Sequence, residues 1–268
     1  MNINKLFQSG VFGIVSVVLL NSATVFAQPI QSISSRYTST SDIQIHFQPP
    51  RSTSDVVDNG TPESEKGTGT RTGNECLATK IPLTALTGQS SSLTLTASSH
   101  PTFFVYVPYT SDDVYYGVFS LYDEQTKQEV WNVIFQLPKQ SGIVSIPSPK
   151  DKKPLELGKN YRWFFELHCA NNDALIQEPL MVMGKVQRVS SEGFEGELST
   201  ASPLEKVAIY AKQGLWYDAL GQLATLQQSD PQNSQLQTLW VELLKASKYD
   251  RLEPIYRESL VGNIRLEF

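Results

Sequence analysis

LELGKNYRWFFELHC, residues Leu155 to Cys169, alternates over its second half, with Tyr161, Trp163, Phe165, Leu167 and Cys169 on one face and Arg162, Glu166 and His168 on the other. A period of two with aromatic residues gathered on one side is the pattern of a half-buried strand. Just ahead of it, Leu155, Leu157 and Gly158 stand at the offsets of a tyrosine corner, in which the hydroxyl of the strand's first tyrosine bonds back to the backbone of the preceding turn. Leu157 occupies the place where that turn usually has proline. The stretch therefore reads as a core strand of a β-sandwich.

Working outward, the flanking sequence is a succession of short strand patterns separated by turn residues. Leu93, Leu95 and Ala97 alternate with Thr94 and Thr96, and His100-Pro101 ends the run. Thr102 to Tyr109 is nearly all apolar, as a strand covered on both faces should be. Tyr115 to Tyr122 follows, then a polar turn at Asp123-Glu124, then Trp131, Val133, Phe135 and Leu137 alternating with Asn132 and Gln136. These two should form a hairpin. Gly142 to Ile146 and the run Leu180, Val182, Val186 complete the set. With no helical period between them, residues 76–189 are expected to form an immunoglobulin-like antiparallel β-sandwich.

Before this domain, a short apolar run from Val11 to Leu20 follows Lys5 and leads to Val25-Phe26-Ala27, the pattern of a cleavable secretory signal over 1–27. The run is too short for a membrane anchor, which needs about 20 apolar residues. Residues 28–75 are rich in Ser and Thr and lack a sustained period, so they read as a flexible tether. The brief alternation of Ile43, Ile45 and Phe47 inside it is read as a transient extended piece, with a short strand or docking peptide as the alternative. An exported chain with two cysteines, Cys76 and Cys169, is expected to pair them. Periplasmic or secreted localisation follows.

After a polar linker at 190–202 the period changes to 3.6. Ser202-Pro203 supplies a capping hydroxyl and a first-turn proline, and Leu204, Val207, Ala208 and Ala211 share a face. Ala219, Leu220, Leu223 and Leu226 form a second helical face, and Leu236, Leu239, Trp240, Leu243 and Leu244 a third. The spacing Tyr210, Gly214, Ala219, Leu223, Leu226, Pro231 resembles the later half of a tetratricopeptide repeat. One repeat cannot make a solenoid, so 203–268 reads as a TPR-like helical hairpin with a third helix, packed on the sandwich. Ile264, Leu266 and Phe268 alternate like a terminal edge strand.

Composition narrows the function. A net charge of −5 without a dense basic cluster excludes the electrostatic footprint of a nucleic-acid binder. His46, His100 and His168 are the three histidines, and none sits in a metal or nucleophile motif. His168 and Cys169 are adjacent on a strand and point to opposite faces, so they cannot act as a pair. The expectation is no cofactor, no metal and no catalytic residue. Loop carboxylates at Asp112-Asp113, Asp123-Glu124 and Asn171-Asn172-Asp173 carry no diagnostic spacing for calcium or a glycosidic bond. Tyr106, Tyr109, Tyr115 and Tyr116 are the aromatic candidates for stacking on a sugar or peptide.

The blocks PTFFVYVPY (Pro101–Tyr109), GIVSIPSP (Gly142–Pro149), LELGKNYRWFFELHC and AKQGLWYDALGQLATL (Ala211–Leu226), in this order behind a signal peptide, resemble the exported cyanobacterial domain-of-unknown-function family numbered 928. The likeness covers roughly Arg71 to Ser247. It departs at Arg71-Thr72-Gly73-Asn74-Glu75, where the family commonly has Arg with a pair of glycines before its first cysteine. The resemblance implies the domain plan and export, and brings no site. The reading is a non-enzymatic binding or scaffold module of the cell envelope, with an envelope protein held by Trp216, Tyr217 and Trp240 of the helical part. The alternative is glycan binding or hydrolysis at a loop end of the sandwich.

Overall fold

The computed structural model describes residues 43–49, 76, 78–88, 93–169 and 179–267, all within the unit Thr38–Phe268. The signal segment, most of the 28–75 stretch and Asn171-Asn172-Asp173 lie outside the described residues. The fold is mainly β. Strands β1 (Thr84–Ala85), β2 (Thr94–Thr96), β3 (Thr102–Val107), β4 (Val114–Asp123), β5 (Glu129–Gln136), β6 (Gly142–Pro147), β7 (Asn160–Cys169) and β8 (Leu180–Arg188) come first. Helices α1 (Glu195–Thr200), α2 (Pro203–Lys212), α3 (Trp216–Ser229) and α4 (Ser234–Ala246) follow. A 3-10 turn (Asp250–Ile255) then leads to β9 (Leu260–Asn263) and β10 (Arg265–Glu267).

The strands make two sheets, one in the order β1-β3-β6-β9 and one in the order β10-β5-β4-β7-β8-β2. The strand that began the sequence reading, β7, lies near the middle of the larger sheet, and its alternation is the burial pattern: Tyr161, Trp163, Phe165 and Leu167 are buried, their neighbours less so. Its turn is fixed as a tyrosine corner requires, the Glu156 N–H donating to Tyr161 Oη at 2.9 Å. Arg188 on β8 clamps the same turn, its guanidinium donating to Leu155 O at 2.7 Å. Opposite Trp163 in the register stands Gly184, where a Cβ would lie 2.5 Å from the indole. The bare backbone there makes room for the ring.

Two pairings correct the wholly antiparallel expectation, since β2 runs parallel to β8 and β9 parallel to β6. Both partners are joined by long connections rather than tight hairpins, so no turn fixes their direction. On β2 the buried residues are Thr94 and Thr96, not the apolar phase. Thr96 Oγ1 accepts from the Ser98 N–H at 3.1 Å, whereas the Thr94 hydroxyl is buried without a partner.

The smaller sheet is the middle layer. On β3, Phe103 packs against Phe119 and Trp163 of the larger sheet, while its neighbour Phe104 meets Trp240 of α4. Adjacent strand residues face opposite ways, so α4 covers one side of this sheet and the larger sheet the other, where Tyr217 of α3 also reaches Phe103. That is why TFFVYV can be apolar on both phases, with all but its first residue buried.

The helices form where the period predicts. Ser202 and Glu205 make a reciprocal capping box at the start of α2, with Pro203 in the first turn. Gly214 turns the chain at φ +72° before α3. The buried face of α4 is Leu236, Leu239, Trp240, Leu243 and Leu244, the five residues of the sequence pattern. A short helix, α1, occupies Glu195–Thr200 inside the stretch read as a linker. The alternation at the C-terminus becomes β10, an edge strand antiparallel to β5.

The tether reading fails for residues 43–49. Ile45 and Phe47 are buried, Phe47 meets Trp216 edge-on at 4.9 Å, and the Gln48 N–H donates to Ala211 O at 3.1 Å. Two alternating apolar residues are enough for this piece to gain burial against the helices. Cys76 and Cys169 form a disulfide, with Cα atoms 5.4 Å apart, tying the residue ahead of the first strand to the end of β7.

Candidate functional site

The aromatic residues proposed as partner anchors are core residues. Trp216 is 0% exposed, Tyr217 1% and Trp240 3%. The Trp216 indole donates to Leu86 O at 2.9 Å. Tyr217 Oη accepts from the Trp163 indole at 3.1 Å. An anchor must be reachable, so Trp216 and Tyr217 serve to join the helices to the sheets. Among the candidate tyrosines, Tyr106 and Tyr109 are buried, whereas Tyr115 and Tyr116 are exposed.

Tyr116 lies on the outer face of the larger sheet, the side turned away from the core. It stacks on His168 of β7 with ring centroids 4.3 Å apart. The register continues the face. Ile134, Val118, Glu166 and Met181 stand side by side across β5, β4, β7 and β8, and Asn132, Ser120, Phe164 and Met183 form the next row. Neighbouring strands are about 4.8 Å apart, so Ile134, Val118, Phe164, Met181 and Met183 make one apolar strip with Tyr116 at its end. Ile134 is 46% exposed and Tyr115 60%. Glu166 is the carboxylate in the middle of the strip. Sequence reading missed Phe164, Met181 and Met183 because it followed only the inward phase of β7 and β8. The available signal was apolar residues on both phases of adjacent strands, which marks a second face with something to cover.

The loop carboxylates are engaged in turns. Asp113 accepts from the Thr110 N–H and hydroxyl, both at 2.8 Å. Asp123 accepts from the N–H groups of Gln125 and Thr126 at 2.9 and 3.0 Å. The Thr126 N–H, with Lys159 helping, holds the Asp123 carboxyl below the usual range. Burial works against ionisation of Glu124, but Arg162 and Lys185 overcome it and its carboxyl is also lowered. The two carboxylate groups sit at opposite ends of the ten-residue β4, about 30 Å apart at the rise of a strand. Glycosidic carboxyl pairs lie within about 10 Å of each other, so these do not form one. His46 lies beside Gln44 at 3.3 Å, and His100 lies between Ser99 Oγ and Lys152 O. Among the described residues no group of three His, Cys, Asp or Glu could hold a metal ion.

One carboxyl is unusual. Asp218, in the first turn of α3, accepts from the Ala97 N–H at 3.0 Å and the Ser98 N–H at 3.1 Å. Burial pushes its pKa up to about 6 against the pull of the Thr96 hydroxyl and these N–H groups. It lines a cleft of about 550 Å³ with His100, Tyr210 and Gln222, yet its oxygens are bound to the backbone directly after β2, so it ties α3 to the end of that strand. Because the folded pKa lies above the unfolded one, the cost of ionising Asp218 is fully present above pH 6 and is relieved as pH falls toward 4. Urea unfolding at pH 7 and pH 4.5 should show about 2 kcal/mol more stability from this group at the lower pH. Asp218→Asn should remove that part of the pH dependence, and equal slopes in parent and variant would contradict the assignment.

A family model described as Domain of Unknown Function (DUF928) matches residues 66–255. No curated protein matches the chain.

Proposed function

We propose that this chain, which belongs to the DUF928 family, is a non-enzymatic binding or scaffold module of the cell envelope that meets its partner on the open face of the larger sheet. The observation that carries the reading is the apolar strip through Ile134, Val118, Phe164, Met181 and Met183. The sheet's inner face already has its core, and this second set of apolar residues stands half-buried or exposed on the other face; such contiguous strips mark interaction sites. Export is supported by the Cys76–Cys169 bridge, since disulfides persist in oxidising compartments. No described helix is long and apolar enough to cross a membrane. The Tyr161 corner supports an immunoglobulin-like descent of the sheets, and the α2–Gly214–α3 turn a TPR-like descent of the helices.

A second reading has its own observation. Tyr116, stacked on His168, and its chain neighbour Tyr115 are exposed aromatic residues, the residue type that contacts sugar rings. Capture experiments separate the two. The chain from Gln28 onward is used as bait in a native envelope extract and against insoluble peptidoglycan, beside a variant carrying Tyr116→Asp and Ile134→Lys. The protein-partner reading expects a specific protein on the parent, at least tenfold less on the variant, and unchanged melting temperatures. Retention on peptidoglycan alone, lost in the variant, would replace it with the glycan reading. Equal capture by parent and variant would remove the open face from either role.

A further inference from the structure

Strand β9 ends the smaller sheet, and residues of α4 face it. Between them runs a groove of about 800 Å³, lined by Gln227 of α3, by Gln237, Thr238, Trp240 and Val241 of α4, and by Tyr256 through Gly262. We propose that this groove binds a short extended peptide segment of a partner protein, laid beside β9 and beneath α4.

Three observations point to that occupant. First, β9 pairs with β6 on one side, is the edge of the smaller sheet among the described residues and lines the groove with Leu260, Val261 and Gly262, so its other side is a template for adding a strand. Second, the Trp240 indole N–H is buried without an acceptor, although the ring is only 3% exposed. A buried donor normally has a partner; Trp240 lines the groove, and a small outward turn of its ring would let a peptide carbonyl there supply one. Third, the wall is made of amides, hydroxyls and apolar patches, and its charges, Arg257 and Glu258, cancel. An uncharged, hydrogen-bonding chain suits it better than a charged ligand. Open-ended pairing is limited by β9 itself: the register shifts opposite Ile143 and Val144, and Gly262 lies at φ +101°. A bulged four-residue edge admits a segment of about 13 Å, so the helix side must complete the grip.

The test is a selection of random, uncharged dodecapeptides against the full chain from Gln28, followed by amide exchange and affinity measurements on the peptides recovered. The proposal expects micromolar peptides that slow exchange at Leu260–Asn263. It expects a tenfold or greater loss of affinity in Thr238→Trp, which fills the groove from an exposed position. Trp240→Phe, which keeps an aromatic six-membered ring in the core and removes the N–H, should weaken binding about fivefold while the protein stays folded, and Tyr116→Asp on the distant sheet face should change nothing. No recoverable peptide, or peptides that protect another region and ignore Thr238→Trp, would overturn the proposal. So would slowed exchange at Leu260–Asn263 that grows with the concentration of the protein alone, because the occupant would then be a second copy.

Discussion

Replacing Trp216 with alanine should lower the stability of the whole unit by about 5 kcal/mol, the largest effect expected of any single substitution considered. The side chain is fully buried, and large-to-small changes of this kind cost about 3–5 kcal/mol through lost burial and the cavity left behind. Loss of the indole also leaves Leu86 O without its donor, a further cost of about 1–3 kcal/mol if no water reaches it. The ring packs on Phe47 and against Gly88, so two separate parts of the chain, around Phe47 and around Leu86 to Gly88, lose a shared neighbour. Urea unfolding read through the helical and sheet bands of the infrared spectrum should show one transition, shifted equally for both. A helical band that melts early while the sheet band keeps its parent midpoint would mean that the helices are a separate unit.

Removing the Cys76–Cys169 bridge with paired alanine substitutions should cost about 4 kcal/mol. The bridge spans 93 residues, and closing so long a loop restricts the unfolded chain strongly on the loop-closure argument. It also pins the residue preceding β1 to the end of β7, beside the β4 position of Val114. The paired variant and the parent treated with reductant should unfold at the same lower urea concentration. An unshifted midpoint in both would show that the bridge adds nothing to folding and leave its role to chemistry or assembly.

Much of this architecture can be read from local patterns. The alternation of β7 and its corner turn, the two-phase apolar run of β3 and the five-residue face of α4 each follow from periodicity that a single element carries by itself. What local patterns could not supply was the identity of the partner across space. Trp216 and Tyr217 sit on amphipathic helices, where an aromatic looks the same whether it faces a binding partner or a sheet of its own chain. The directions of β2 and β9 depended on long connections. The Asp218 tie joins residues more than a hundred positions apart, and the acid looked like an ordinary first-turn residue of a helix. On β2 the threonines are the buried phase; the Thr96 hydroxyl is hydrogen-bonded there, while that of Thr94 is not, so hydropathy alone pointed to the wrong phase. The open face was legible in principle, as Phe164, Met181 and Met183 stand on the phase that solvent should occupy, but only with β7 and β8 already placed side by side.

The most direct measurement is photocrosslinking from the open face in the intact envelope, with a benzophenone amino acid at Ile134 and, as a control, at Lys212 on the exposed side of α2. The account predicts a discrete protein adduct from position 134, none from 212, and loss of the adduct when Tyr116→Asp is added. An adduct from 212 but not from 134, or one from 134 that survives Tyr116→Asp undiminished, would contradict it and move the binding surface away from the larger sheet.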